Sequence, residues 1–213
     1  MRRSLGAVAT AALISFAAWT LAADEPKKTE PNKDDAGWVQ LFNGKNLNGW
    51  VVQPEDKARW SVQDGCIVGE GPVGHLYTER GDYENFRFRM EAMISDGGNS
   101  GQYFRCEIAK GFPPAHYEAQ IDATHADPQR TGSLWGIVPV YQQKHKPNEW
   151  FTQEVVADGD HIVIILNGET VVDTHDSKYS KGHFAIQQHN EGSVVRVRKA
   201  EVKELPPTKP KEK

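Results

Sequence analysis

The sequence predicts an all-β jelly roll, a sandwich of two antiparallel sheets, and three observations carry that prediction. Apolar residues recur with a period of two almost everywhere; Asn167-Gly168 sits between two β-branched runs; and Gly, Asn, Asp and Pro cut the chain into strand-length pieces. No stretch of 12 residues shows a helical face, and a short turn near Pro54–Ala58 is the one helical candidate.

Strands are expected first at Val39–Phe42, Trp60–Val62, Cys66–Gly69 and Leu76–Thr78. In Glu84–Ile94, Phe86, Phe88, Met90, Ala92 and Ile94 alternate with Arg87, Arg89, Glu91 and Met93, giving one buried and one largely wet face. Gly101–Ile108, Tyr117–Asp122 and Gln153–Ala157 follow. His161–Leu166 and Glu169–Thr174 form a hairpin, because Asn-Gly supplies the two positive-φ residues of a tight antiparallel turn. His183–His189 and Val194–Val202 complete the set.

The strands occupy one domain, residues 37–205, long enough for a sizeable core. Before it, Arg2 and Arg3 precede an apolar run from Leu5 to Trp19 and small residues at Ala22-Ala23, so residues 1–23 read as a signal peptide and the chain as exported. The run is too short to span a bilayer, and no membrane partner is expected after cleavage. Residues 24–36 and 206–213 are charged and Pro-punctuated, and read as a flexible linker and a disordered tail. Net charge is −4, and −6 without the two leader arginines, so no basic excess exists to hold nucleic acid. Export permits a Cys66–Cys106 bridge, although two buried thiols acting as small hydrophobes are the favoured reading.

Three strands carry polar faces of a particular kind. Alternation groups Tyr103, Arg105 and Glu107 opposite Phe104, Cys106 and Ile108; it groups His116, Glu118, Gln120 and Asp122 opposite Tyr117, Ala119 and Ile121; and it sets His183, Ala185, Gln187 and His189 against Phe184 and Ile186. Alternating charges on a strand usually mark only its solvated side. Brought together in one sheet, however, these amides, carboxylates and imidazoles suit a polyhydroxylated ligand, and Trp135 in its Gly-rich loop suits the apolar side of a sugar ring. His75, His145 and His161 read as surface or satisfied core groups. Asp122 and His125 stand at a metal-pair spacing without a supporting motif; the sequence calls for no cofactor and leaves a divalent cation such as Ca²⁺ open. Nucleophilic-serine, phosphate-loop and dinucleotide motifs are absent from the sequence.

An ordered set of motifs carries a family resemblance: Leu41-Phe42-Asn43-Gly44-Lys45-Asn46-Leu47-Asn48-Gly49-Trp50, Trp60-x-Val62-x-Asp64-Gly65, Asn99-Ser100-Gly101-x-x-Phe104-Arg105, Tyr117-Glu118-x-Gln120-Ile121-Asp122, Leu166-Asn167-Gly168 and Gly182-His183-x-x-x-Gln187-x-His189. Together they resemble the 3-keto-disaccharide (3-keto-glycoside) hydrolases over residues 37–205. The chain departs from that family at Phe151, where Asn usually follows Trp, and at Val197-Arg198-Lys199-Ala200, where Phe-Arg-Asn-Ile is common. The resemblance implies a concanavalin A-like jelly roll and an exported, periplasmic or secreted bacterial enzyme acting on glycosides oxidised to a ketone at C3. Such a ketone permits removal of the C2 proton, loss of the C1 substituent and hydration; Glu118 or His189 is the expected base, Arg105 and Gln120 the expected stabilisers of the ketone oxygen, and another of the His/Asp set the expected acid for the departing oxygen. Asn99, Tyr103, Glu107, Asp122, Trp135, His183 and Gln187 complete the expected site as substrate-binding residues. Two alternatives stay open: a two-carboxylate glycosidase using Glu107 and Glu118, and a non-catalytic lectin-like module.

Overall fold

Alternating apolar side chains need two surfaces to bury against, and the chain provides them as two face-packed sheets. The computed structural model describes residues 36–207, which contain thirteen β-strands and no α-helix. The expected signal peptide at 1–23, nearly all of the expected 24–36 linker and most of the expected 206–213 tail lie outside the described residues.

The strands are β1 (Val39–Gln40), β2 (Trp50–Val52), β3 (Arg59–Gln63), β4 (Cys66–Glu70), β5 (Gly74–Thr78), β6 (Phe86–Ile94), β7 (Asn99–Cys106), β8 (Tyr117–Asp122), β9 (Phe151–Asp158), β10 (His161–Leu166), β11 (Glu169–His175), β12 (His183–Gln188) and β13 (Val194–Glu204). One sheet runs β11-β10-β9-β6-β13-β4-β3, with β1 added to β13; the other runs β2-β5-β12-β7-β8. Every pairing is antiparallel. Asn167 and Gly168 take φ of 49° and 84° and close the β10–β11 hairpin as their types predict.

The core lies between the sheets. Phe184 of β12 stacks on Phe88 of β6 at 4.1 Å and meets Phe86 edge-on at 4.7 Å, so the two layers interlock through aromatic rings. Truncating such a buried phenylalanine to alanine costs about 3–5 kcal/mol. Cys66 and Cys106 are both buried and free, one in each sheet.

The structure differs from expectation in three places. Trp50–Val52 forms a strand too short to display a period. Residues 54–58 make a turn and no helix. Most consequentially, β7 ends at Cys106, and Arg105 has φ of 49°, with a register break where His183 pairs with Cys106 and Ala185 with Tyr103. An extra residue in one strand reverses the alternation beyond it. Cys106 therefore packs with Tyr77, Tyr103 and Ala185 on the outer face, and Arg105 turns to the other side.

Candidate active site

The outer face of the five-stranded sheet is organised in rows by register. Ala185 pairs with Tyr77 and Tyr103, and Tyr103 pairs with Glu118, giving the row Tyr77-Ala185-Tyr103-Glu118. The next row of that face holds His75, Gln187, Gly101 and Gln120, and the one beyond holds His189, Asn99 and Asp122. Gly101 is the low point of this surface: a Cβ there would lie 2.3 Å from Glu118 Oε1 and 2.7 Å from Tyr103 Cε2. The missing side chain lets the Glu118 carboxyl lie across the sheet.

A pocket opens above Gly101, lined by Asn99, Tyr103, Glu118, Gln120 and Gln187 from the sheet and by His189 just past the end of β12. Four further walls come from neighbouring segments: Phe112, His116, Asp127 and Trp135. Gln187 Nε2 donates to the Tyr103 hydroxyl at 2.6 Å, and Tyr103 is hydrogen-bonded in turn to Glu118. Burial pushes the Glu118 carboxyl up to about 8, against the lowering effect of the Tyr103 hydrogen bond and with a smaller push from the Asp127 charge. Glu118 therefore holds its proton at neutral pH. Burial also lowers the affinity of His189 for a proton, helped by the adjacent His125, so this imidazole is neutral. His116 stacks on Tyr103 at 4.8 Å, and its Nδ1 lies 2.6 Å from the Pro113 carbonyl, which can only accept; the proton sits on Nδ1 and Nε2 keeps its lone pair.

Several buried acceptors of this pocket have no donor in the protein: Asn99 Oδ1, Gln120 Oε1 and Gln187 Oε1, together with His189 Nδ1. Buried polar atoms are nearly always paired. Four such atoms around one hollow make a surface complementary to a ligand rich in hydroxyl donors. Trp135, 44% exposed, offers its ring at the mouth while its Nε1 donates to Asp127 Oδ2 at 3.1 Å.

Seven of the expected site residues thus share one pocket: Asn99, Tyr103, Glu118, Gln120, Trp135, Gln187 and His189. Four do not line it. Arg105 is buried on the opposite side of its sheet over Phe86, donating to the carbonyls of Glu84, Gly159 and Tyr179, because the bulge reverses it. Glu107 lies past the end of β7 and is exposed, its backbone N–H bound to the Ala115 carbonyl. Asp122 faces outward but is covered: its Oδ1 accepts from Arg130 Nη1 at 2.9 Å and from the His125 N–H at 2.9 Å, which shapes the 123–130 loop. His183 sits at the far end of the sheet, Nδ1 against the Thr78 carbonyl at 2.7 Å. Phe112, His116 and Asp127 were not among the expected site residues; His116 carried a signal, as it shares the alternating face of Glu118, while the other two lie on loops without a period. Among the described residues no group of three or more His, Cys, Asp or Glu side chains is placed to hold a metal ion, and Asp122 and His125 serve the loop instead.

Comparison with known proteins agrees with this architecture. A 3-keto-disaccharide hydrolase of Bacteroides thetaiotaomicron is 25% identical over 174 residues, which are 67% of this chain and 60% of that protein. The chain therefore matches only about three fifths of that relative's length. A Parabacteroides distasonis structure assigned to the glycosyl hydrolases superposes with a TM-score of 0.67 at 26% identity, covering 79% of this chain and 99% of that one. A carbohydrate-binding module from Bacillus subtilis superposes with a TM-score of 0.60 at 17% identity, over 73% and 96% of the two chains, which shows a shared fold. The model of the 3-keto-alpha-glucoside-1,2-lyase-like domain matches residues 37–203, nearly the whole sandwich, and the chain belongs to that family.

Proposed function

We propose that this protein cleaves 3-keto-glycosides, in particular 3-keto-disaccharides, by elimination and hydration. The observation that carries the reading is the pairing, in one pocket, of a carboxyl that keeps its proton with an imidazole that lacks one. Environments that push two titratable groups apart assign acid and base.

A ketone at C3 acidifies the C2–H bond. Neutral His189 takes that proton, and the electrons form an enolate whose oxygen receives a hydrogen bond from the Gln120 amide. The enolate then re-forms the ketone and expels the C1 substituent as Glu118 donates its proton to the departing oxygen. Water adds to C1 of the resulting enone: the Glu118 carboxylate takes one proton from it as the water oxygen bonds C1 and keeps the second hydrogen, and the His189 imidazolium, its proton exchanged with solvent, protonates C2. Both residues end as they began, and the net change is hydrolysis. General acid–base steps of this kind contribute ~10²–10⁴ each, and one charge-stabilising donor ~10²–10³. The Tyr103 hydroxyl, held by Gln187, positions the Glu118 carboxyl. With Arg105 outside the pocket, oxyanion stabilisation falls to side-chain amides.

The test is to incubate the protein with a 3-keto-glucoside and with the matching unoxidised glucoside. The reading expects release of the aglycone from the ketone alone. Cleavage of the unoxidised sugar favours a two-carboxylate displacement, and binding without turnover favours a lectin-like module.

A further inference from the structure

His75 is a fully buried imidazole: neither ring nitrogen makes a hydrogen bond of good geometry within the protein, although the Gly111 backbone carbonyl lies close enough to act on the ring. The other two histidines read as ordinary are accounted for: His145 bonds Thr131 and the Lys146 carbonyl, and exposed His161 pairs with Asp173. His75 instead stands on the outer row of the sheet opposite Gln187, which lines the catalytic pocket. Its ring meets Tyr103 edge-on at 4.8 Å and Phe112 at 6.1 Å, and Phe112 also contacts His189 at 5.8 Å. The Phe112 ring therefore separates a catalytic imidazole from a buried, unpartnered one.

The separating wall is thin. Phe112 faces the pocket, while Lys110 and Gly111 face a second groove bounded by Glu55, Asp56, Lys57 and Val73. Asp56 lies at the base of this wall, accepting from the backbone N–H of Gly111 and from that of His75, each at 3.0 Å. Asp56 fixes the backbone of the wall, but its Phe112 side chain is 54% exposed, and the Lys110–Glu55 ion pair across the groove is a surface contact of a weak kind.

We propose that the sugar leaving with the C1 oxygen is received in a subsite behind Phe112, where His75 is the polar floor and pocket and groove join into one trough when Phe112 moves aside. The proposal rests on the 3-keto-glycoside reading of the pocket. Burial holds the His75 ring neutral, and a neutral imidazole offers one donor and one acceptor, the pair that a single sugar hydroxyl satisfies. The charged rim of Glu55, Lys57 and Lys110 suits further hydroxyls and not a flat apolar aglycone.

The test uses the full chain labelled with ¹⁵N-histidine, its ring signals assigned with His75→Gln and His75→Phe, titrated with maltose and with methyl α-glucoside, which lacks the second ring. The expected result is a saturable shift of the His75 nitrogens with maltose only, and at least fivefold tighter maltose binding by Phe112→Ala, which has no cover to displace. In turnover, His75→Phe lowers the preference for 3-keto-maltose over methyl 3-keto-glucoside at least tenfold while the melting temperature holds or rises, since an unpaired buried polar group is gone. Unmoved His75 signals, equal shifts with both sugars, or an unchanged preference would overturn the subsite, leaving His75 a core residue or one bound to water alone. If the wild-type chain cleaves neither ketone, the reaction fails while the titration still decides whether a second sugar ring reaches His75.

Discussion

The two outer faces of the sandwich are built from the same alternating pattern and end in opposite states. On the eight-stranded sheet the outward polar side chains satisfy one another: Arg87 meets Glu154 at 2.5 Å, Arg89 meets Glu201 at 2.6 Å, Lys199 joins Glu201 at 3.0 Å, and Arg198 pairs with Glu91. On the five-stranded sheet the outward groups that meet the pocket are amides, imidazoles and the Glu118 carboxyl, roofed by loops, and Asn99, Gln120, Gln187 and His189 keep atoms without partners. A face whose charges are paired with one another is finished, whereas a face of buried, unpaired acceptors awaits a ligand. Alternation locates both; residue type and cover tell them apart.

The largest effect that separates the faces is expected at Glu118. Glu118→Gln keeps the shape and removes the transferable proton, so turnover of a 3-keto-glucoside falls by about 10²–10⁴ with the circular dichroism spectrum unchanged. The pH profile sharpens this. Activity requires protonated Glu118 and neutral His189, so it declines as pH rises through about 8 and, on the acid side, below the ordinary histidine value of 6.5. The same carboxyl makes stability depend on pH with a definite sign. Its folded value lies above the unfolded 4.5, so the folded chain binds the extra proton between 4.5 and about 8; stability falls as pH rises across that window, and Glu118→Gln flattens the slope in denaturant titrations.

Next in size is Gly101→Ala. The added Cβ would displace the Glu118 carboxyl, and a shift of about 1 Å at a reacting group costs on the order of 10²-fold in rate. A rate within twofold of wild type would remove the Gly101 hollow from the site.

Arg105→Ala is expected to act on stability and not on chemistry. It strands three buried carbonyls, at about 1–3 kcal/mol each, and so lowers stability by roughly 3 kcal/mol or more, seen as a melting-temperature drop of about 6–12 °C for a chain of this size. The folded fraction keeps its turnover. The smallest effect belongs to the other face: Arg198→Ala, which removes a solvent-exposed ion pair with Glu91, changes stability by about 1 kcal/mol or less, read by urea denaturation, with activity unaltered.

Much of this was legible because periodicity is a local property. Phe86 to Ile94 alternate in the sequence and in the fold, and Asn167-Gly168 makes its hairpin from side-chain types alone. Tyr103, Glu118, Gln120 and Gln187 converge because each keeps its parity along an uninterrupted strand segment. Arg105 and Glu107 lie beyond a bulge, where one positive φ at a residue with no special liking for it inverts the count, and no local signal announces that. Phe112 and Asp127 reach the pocket from loops, whose paths depend on distant anchors such as Asp56 and Arg130. His75 reads as an ordinary core histidine until its neighbours are known to offer it no side-chain partner.

The most direct measurement of the central claim is deuterium incorporation at C2 when a 3-keto-glucoside is cleaved in D₂O, followed by NMR against a no-enzyme control. Elimination and hydration through His189 predict that the released 3-keto-glucose carries solvent deuterium at C2 above the control, and that His189→Ala abolishes both label and cleavage. Cleavage with the original hydrogen retained at C2 would contradict the account.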